Sequence, residues 1–280
     1  MRPGGRAAVA RLFDAMAADY DVLEPWYEHH YAVLHDLLAA VLGPAGPDDR
    51  RALDAGCGTG FQARVLEQLG WEVHGVDLAP ALLAAACRRL ARPRLAGADV
   101  GALPYADGAF QAAVCCGSTL SFVEDPAGAL TELGRVLRPG GRLLVECEHR
   151  WSLDLAWSLL SALTGDRLGY GLTARQAWRL IADPPGRGAW LPYPGYGTLR
   201  LFTASELARW LAEAGLVAER WWGLHSVTLL IPSTVLHRPR LGPAAAPLYR
   251  VLRRLDRALA ASWVGRRAGA SLVVLARRAG

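Results

Sequence analysis

The stretch ALDAGCGTG, residues 52–60, decides the fold. An apolar run ends in glycines at alternate positions, Gly56, Gly58 and Gly60, and FQARVLEQLG follows with a helical pattern. A buried strand, a glycine turn and a helix start let the backbone approach a ligand closely, with the helix N-terminus facing it. Gly58-Thr59-Gly60-Phe61-Gln62-Ala63 also satisfies the Gly-x-Gly-x-x-Gly/Ala dinucleotide pattern, and Asp77 falls about twenty residues on, where an acid binds a ribose. The turn alone leaves the ligand open. In either case Asp77 supports a ribose-bearing cofactor, because a carboxylate at a strand end accepts hydrogen bonds from both ribose hydroxyls.

Outward from this turn, strand-like and helix-like segments alternate, the pattern of a parallel sheet with crossover helices. RALDAG (51–56) reads as the first strand and WEVHGVD (71–77) as the second; Ala79 to Ala91 is helical, with Pro80 in its first turn. PRLAGAD (93–99) and FQAAVCCG (110–117) are the third and fourth strands. Asp125 and Pro126 open a helix through Leu137, Pro139-Gly140-Gly141 closes it, and RLLVECE (142–148) is the fifth strand. Beyond residue 150 the rhythm changes to two helices and a long Pro/Gly/aromatic loop, PPGRGAWLPYPGYG (184–197). Its rings, Trp190, Tyr193 and Tyr196, either wall an acceptor or pack the loop on the sheet. TASELARWLAEAG (203–215) is a helix and LVAERWWGL (216–224) a sixth strand. From Pro247 to Trp263, Leu248, Val251, Leu252, Leu255, Leu259 and Trp263 share a helical face apart from Arg250, Arg253, Arg254 and Arg257. That face is expected to pack on the domain, and SLVVLARR (271–278) is the last strand.

Composition narrows the class. With 280 residues, 52% hydrophobic and 20% charged, the chain is globular rather than disordered or coiled coil. Its five cysteines lack disulfide-framework or metal-ligand spacing, so the expectation is a reducing, cytoplasmic setting and no metal. Residues 1–21 do not read as a signal peptide. The uncharged run Trp221 to His237 is interrupted by Pro232 and too short to span a bilayer. All 31 basic residues are arginines, and ten of them against one acid, Asp256, fall in residues 238–280. This basic tail is expected to meet the acidic body of its own chain, ahead of anionic lipid or nucleic acid.

Further features go beyond the glycine turn. Asp54 stands two positions before it, Leu78 follows Asp77, Val100 follows Gly97-Ala98-Asp99, and ALPYADGAFQAAVCCGSTLSFVEDP (102–126) leads on to LRPGG (137–141). In these features the chain resembles the class I S-adenosylmethionine (SAM)-dependent methyltransferases, over roughly residues 10–150 and 200–225. The resemblance implies that Asp54, Gly56, Gly58 and Gly60 form the family's first motif, that Leu78 covers the adenine, and that Asp99, beside Val100, addresses the adenine amino group. Main-chain groups from Gly56 through Cys57 to Gly58 would hold the amino-acid end of SAM, and the Cys116 carbonyl would accept from its ammonium. FDAMAADYD (13–21) is similar to the Phe-Asp-x-x-Ala-x-x-Tyr-Asp segment of the ubiquinone/menaquinone-biosynthesis methyltransferases, which implies that Tyr20 lies over the cofactor. Two long insertions, 151–202 and 226–270, depart from those enzymes and argue against a quinone acceptor.

The expected architecture is one α/β methyltransferase domain over residues 1–280, a Rossmann-like, doubly wound, seven-stranded sheet with its last strand antiparallel. Within it lie a helical lid (1–45), the SAM-binding core (50–150), a substrate-side insertion (151–202), further core (203–225), a second insertion (226–270) and the last strand (271–280), with the insertions capping the sheet's C-terminal edge. The expected function is methyl transfer from SAM, leaving S-adenosylhomocysteine, to oxygen, nitrogen or carbon of a small apolar or aromatic molecule. Glu146, Glu148 and His149 end the fifth strand, which makes His149 the first candidate base, and His225 at the end of the sixth strand is the second. His29 and His30 read as lid or surface residues, and Cys57, Cys115 and Cys116 as small hydrophobes. The competing readings are an NAD(P)-dependent oxidoreductase and a noncatalytic SAM-binding partner protein. The expected partner is a small-molecule acceptor, with no nucleic acid, and peripheral membrane contact by the Arg-rich helix is the lesser alternative to its packing on the domain.

Overall fold

Strand β1 (Arg51–Ala55) is buried from Ala52 onward, which a strand enclosed on both faces requires. The computed structural model describes residues 5–21, 25–47, 50–164, 174–184, 188–193, 197–236 and 241–280. Helices α1 (Arg6–Met16) and α2 (Pro25–Leu42) precede β1, and α3 (Phe61–Gln68), β2 (Glu72–Asp77), α4 (Pro80–Arg89) and β3 (Leu95–Gly97) follow it. Next come β4 (Phe110–Cys115), the single turn α5 (Thr119–Phe122), α6 (Pro126–Val136) and β5 (Leu137–Glu148). Asp125 caps α6 by accepting from the Gly128 N–H at 3.1 Å, with Pro126 at the first helical position.

Among the described residues seven strands form one sheet in the order β3-β2-β1-β4-β5-β9-β8, where β8 is Leu216–Leu224 and β9 is Ser271–Arg278. The first five are mutually parallel, and β9 lies antiparallel between β5 and β8, as expected of the last strand. Alternate residues supply opposite faces. Val145 and Val274 join Phe110, Leu133 and Leu207 on one side, while Leu144 and Val273 join Leu34, Leu38 and Leu66 on the other. Each such side chain, fully buried, contributes roughly 1.5–3 kcal/mol.

Two differences from the sequence reading concern local geometry. Pro139-Gly140-Gly141 does not precede the fifth strand but lies inside it, because Phe110 pairs with Leu137 and Ala112 with Arg142, so three extra residues bulge from β5. Residues 184–197, read as a long loop, contain the antiparallel pair β6 (Ala189–Tyr193) and β7 (Gly197–Leu201). Leu191, Leu199 and Leu201 bury one face of this hairpin against Leu180, which the alternation of apolar residues in both arms allows.

Both insertions are pinned at their ends. The first contains α7 (Leu153–Thr164), α8 (Ala174–Ala182) and the hairpin, and is closed where the Phe202 N–H donates to Glu148 and the Arg150 N–H to Phe202. Helix α9 (Ala204–Glu213) then leads into β8, with the Thr203 hydroxyl accepting from the Glu206 N–H. The second insertion runs between Leu224 and Ser271, which are register partners in the β8–β9 ladder. It holds a 3-10 turn at Thr228–Leu230, α10 (Ser233–Leu236), α11 (Ala245–Leu259) and α12 (Trp263–Ala268). Closing a long loop costs only slowly more with length, so a sheet tolerates such excursions once their ends are fixed.

The Arg-rich helix packs on the domain, but by a narrower edge than the face read from the sequence. It stops at Leu259, and its buried edge is Tyr249, Leu252 and Asp256, leaving Leu248, Val251, Leu255 and Trp263 exposed. The reason is polar: the Asp256 carboxylate accepts from the N–H groups of Val227 and Thr228 and from the Ser226 hydroxyl, which rotates the helix about that residue. The basic tail meets the acidic body at Arg257–Asp36 and Arg277–Glu219, whereas Arg250, Arg253, Arg254, Arg266 and Arg267 have no carboxylate partner among the described residues. No helix among the described residues is long and apolar enough to cross a membrane.

Candidate active site

At the point where the strand order reverses, between β1 and β4, a doubly wound sheet opens a crevice beyond the carboxyl ends of its strands. A cavity of about 220 Å³ lies there. Its floor is the turn after β1. Gly56 has φ +75° and a Cβ there would overlap Thr119, while Gly58 has φ +51° and would direct a Cβ into open space. The cradle at Gly58 is therefore one that any side chain would fill.

The turn's donors are already engaged. Gly56 and Cys57 donate their N–H groups to Val76 O at 2.8 and 2.9 Å, and Gly58 donates to Asp77 Oδ2 at 2.8 Å. Asp77 Oδ1 accepts from the Ala79 N–H at 2.9 Å, so both carboxylate oxygens are oriented and each keeps a lone pair. What this floor offers a ligand is carbonyl oxygen and carboxylate. The expectation that Gly56 to Gly58 hold an amino-acid end is thus narrowed to their acceptors. Across the cavity the Thr119 hydroxyl donates to Cys116 O at 2.9 Å, and the Asp99 carboxylate accepts from the Gly101 N–H at 2.7 Å.

Of the eleven residues that the sequence singles out for the cofactor, Tyr20, Gly56, Cys57, Gly58, Asp77, Leu78, Asp99, Val100 and Cys116 line the cavity. Gly60 and Asp54 stand outside the lining. Asp54 is buried, neither of its oxygens has a well-formed hydrogen bond among the described residues, and burial pushes its carboxyl up to about 7, helped by the Asp77 charge and opposed only by the nearby Ala63 backbone N–H. Burial also raises Asp77, against the N–H groups of Ala79 and Gly58. Four acids line the cavity, Asp77, Asp99, Glu124 and Asp125, against one base, Arg6. That balance suits a cation.

The remaining wall comes from α1, where Phe13 meets Phe122 edge-on at 5.2 Å between centroids. Arg6 Nε pairs with Asp99 Oδ2 at 2.5 Å, and Asp14 Oδ1 accepts the Ala81 N–H at 2.9 Å at the start of α4. Asp21 accepts from the Thr59 hydroxyl at 2.8 Å and pairs with Arg89, whose guanidinium also donates to Thr59 O at 2.6 Å. Phe13, Asp14 and Asp21 sit in the same FDAMAADYD segment that points to Tyr20, and Thr119 and Phe122 in the stretch 102–126, so their signal is present in the sequence; nothing local marks Arg6.

The two candidate bases lie elsewhere. His149 and His225 are buried and outside the cavity lining. His149 Nδ1 faces Gly269 O at 3.0 Å, and burial pushes the ring down to about 4. His225 has φ +58°, with Nδ1 3.2 Å from the Thr228 hydroxyl. Glu146 and Glu148 instead anchor Ser118, the first accepting its N–H at 2.6 Å and the second its hydroxyl at 2.7 Å. Trp190 lies with Phe202 and Trp210 around the Arg200 guanidinium, at 5.0–5.5 Å, and is a packing residue of the hairpin. Tyr196 and the side chains of Tyr193, His29 and His30 lie outside the described residues. Burial raises the thiols of Cys57, Cys115 and Cys116, which keeps them protonated.

Comparison with known proteins agrees with this geometry. A family profile described as a methyltransferase domain matches residues 53–145. The ubiquinone biosynthesis O-methyltransferase of Alkalilimnicola ehrlichii is 30% identical over 201 residues, covering 68% of this chain and 68% of that protein. The chain belongs to the class I SAM-dependent methyltransferase family. The malonyl-(acyl-carrier protein) O-methyltransferase of Halorhodospira halophila is 41% identical over 158 residues, which are 51% of this chain and 50% of that one. This methyltransferase-family chain therefore spans about half the length of that relative. Among solved structures, the 1,6-didemethyltoxoflavin-N1-methyltransferase of Burkholderia thailandensis shares the fold over 100% of this chain and 92% of its own, with a TM-score of 0.57 and 19% identity.

The family's cofactor is SAM, and the residues present fit it. SAM carries an ammonium and a sulfonium, which suit a cavity that offers acids and carbonyls and has open space at Gly58. The NAD(P) alternative finds no support: a pyrophosphate needs N–H donors at this turn, and those of Gly56, Cys57 and Gly58 are committed to Val76 and Asp77.

Proposed function

We propose that the chain transfers a methyl group from SAM to oxygen, nitrogen or carbon of a small acceptor, apolar or aromatic in character. The observation that carries this reading is the acid-lined cavity at the sheet's switch point, where Asp77 is fixed by two backbone donors with lone pairs to spare. Asp77 holds the ribose hydroxyls. Leu78 and Val100 cover the adenine, Asp99 accepts from its amino group, and Tyr20 closes over the cofactor from the lid. The Cys116 carbonyl, still with a free lone pair beside its bond to Thr119, accepts from the ammonium.

When bound, SAM supplies a methyl group already activated by its sulfonium. The protein's task is then alignment of an acceptor atom about 3–3.5 Å from the methyl carbon, in line with the departing sulfur, and exclusion of water by α1. His149 and His225, engaged with Gly269 and Thr228 away from the cavity, take no proton in this scheme. Acceptor choice falls to α1 and the two insertions. The relatives' names, which speak of malonyl-(acyl-carrier protein), ubiquinone biosynthesis and didemethyltoxoflavin, differ in acceptor, which supports placing specificity outside residues 53–145.

Calorimetric titration with SAM, S-adenosylhomocysteine and NAD(H) tests the reading. Saturable binding of the two adenosyl compounds alone is expected, followed by methyl incorporation from labelled SAM in an acceptor screen. Binding of NAD(H) without SAM would overturn it.

A further inference from the structure

Eleven large hydrophobic side chains are exposed among the described residues, and ten of them belong to the two insertions; the other is Val217 on β8. Five cluster on α11 and the first turn of α12: Leu248 (50% exposed), Val251 (56%), Leu255 (48%), Trp263 (63%) and Val264 (41%). On α11 the spacing 248, 251, 255 makes a single stripe, distinct from the Tyr249, Leu252, Asp256 edge that faces the protein. Arg250 and Arg254 are exposed on the next face round the helix, and Arg266 and Arg267 follow Trp263 and Val264, with the Arg267 guanidinium 5.0 Å from the Trp263 ring centre.

These helices are held in place from inside. Gly265 is packed tightly against the Leu259 and Ala260 carbonyls and Gly223 against Gly265, while Asp256 ties α11 to the turn after β8. The stripe is thus exposed by the fold rather than by looseness. Because β8 and β5 both run antiparallel to β9, the insertion leaves from the same sheet edge on which the cavity opens.

We propose that the α11–α12 face docks on an anionic lipid bilayer. A helix lying in a bilayer interface needs an apolar stripe flanked by cations, and this face has both, with no acid of residues 241–280 except Asp256, which is buried on the edge that faces the protein. Charge decides against a second copy, since a two-fold contact through this stripe would set Arg250 and Arg254 against their own equivalents. The apolar stripe decides against nucleic acid, whose phosphates have no use for Leu248, Val251 and Leu255.

The test is flotation of the full chain with vesicles of phosphatidylcholine alone and of phosphatidylcholine mixed with phosphatidylglycerol. Partition to the mixed vesicles, weakened by salt and absent from the neutral ones, is expected. The Arg250→Glu/Arg254→Glu variant should lose about 25-fold or more, from roughly fivefold per arginine at an anionic surface. The Leu248→Ser/Val251→Ser/Leu255→Ser variant should lose roughly tenfold or more through the apolar area withdrawn. Val217→Ser serves as the control and should bind unchanged; circular dichroism checks that each variant is folded. Equal partition to both vesicle types, binding unaffected by the triple serine variant, or a dimer in sedimentation velocity that this variant dissolves would each overturn the proposal.

Discussion

Asp54 and Asp77 sit on neighbouring strands and answer to different forces. Asp77 is raised by burial but has two N–H donors holding it, so it is a placed acceptor. Asp77→Ala is expected to weaken SAM binding by roughly 1–3 kcal/mol, the cost of losing charge-assisted hydrogen bonds, read by calorimetry on the folded variant. Asp54 has no such support, and its carboxyl lies near 7 against 3.8 in an ordinary setting. Between those two pH values the folded chain keeps a proton that the unfolded chain has released, so stability falls as pH rises through the window and levels off above it. The loss is of the order of 4 kcal/mol. Asp54→Asn cannot ionise, so its melting temperature should change less between pH 5 and pH 8 than that of the parent, as thermal denaturation at several pH values would show.

Among the elements, α12 depends on contact between glycines. A Cβ at Gly223 would overlap the Gly265 carbonyl, and Gly269 packs against Gly223 in turn, so the helix lies directly on the end of β8. Gly223→Ala is expected to destabilise the protein by roughly 1–3 kcal/mol through overpacking, measured by urea unfolding. Since backbone lies on both sides of the contact, no rotamer change relieves it. The β6–β7 hairpin is fastened differently, by Glu206, which accepts from Arg200 at 2.8 Å and from the Gly188 N–H at 3.0 Å. Arg150 adds a buried cation at the C-terminal end of α8, donating to Leu180, Asp183 and Pro184 carbonyls. Cations stabilise helix C-termini, and this one joins the end of β5 to the first insertion.

On the scale of the whole molecule, α1 is attached to the domain by its edges. It contains no buried residue, and it is fastened by Arg6 to Asp99, Asp14 to the start of α4, Phe13 against Phe122, and Phe13 and Met16 on the small cluster of Tyr20, Ala79 and Leu82. Removing residues 1–16 is therefore expected to shift the melting temperature by no more than about 2–4 °C, the equivalent of about 1 kcal/mol in a domain of this size. Release of SAM should quicken by roughly tenfold, the loss of about 1.4 kcal/mol of closure, and stopped-flow displacement by S-adenosylhomocysteine would measure it. A truncated chain that loses its fold would show α1 to be part of the core.

By itself the sequence determined the sheet and its ligand edge. ALDAGCGTG, Asp77 and Asp99 are local signals: three glycines force the turn, and a strand's polarity fixes which end carries the acid. The alternation of helix and strand then admits few topologies, so β1 to β5 are legible within one or two positions at most boundaries, and nine of the eleven residues singled out for the cofactor line the cavity. Only the tertiary structure decided which apolar face of α11 is buried, because helical periodicity marks Leu248, Val251 and Leu255 as a stripe without saying what lies opposite. The bonds from Asp256 to residues 226–228, thirty positions away, settle that. His149 follows the same rule: its place at the end of β5 is readable, whereas Gly269, whose carbonyl faces its ring away from the cavity, arrives from a distant part of the chain. Local pattern specifies elements, and long-range polar pairing chooses their faces.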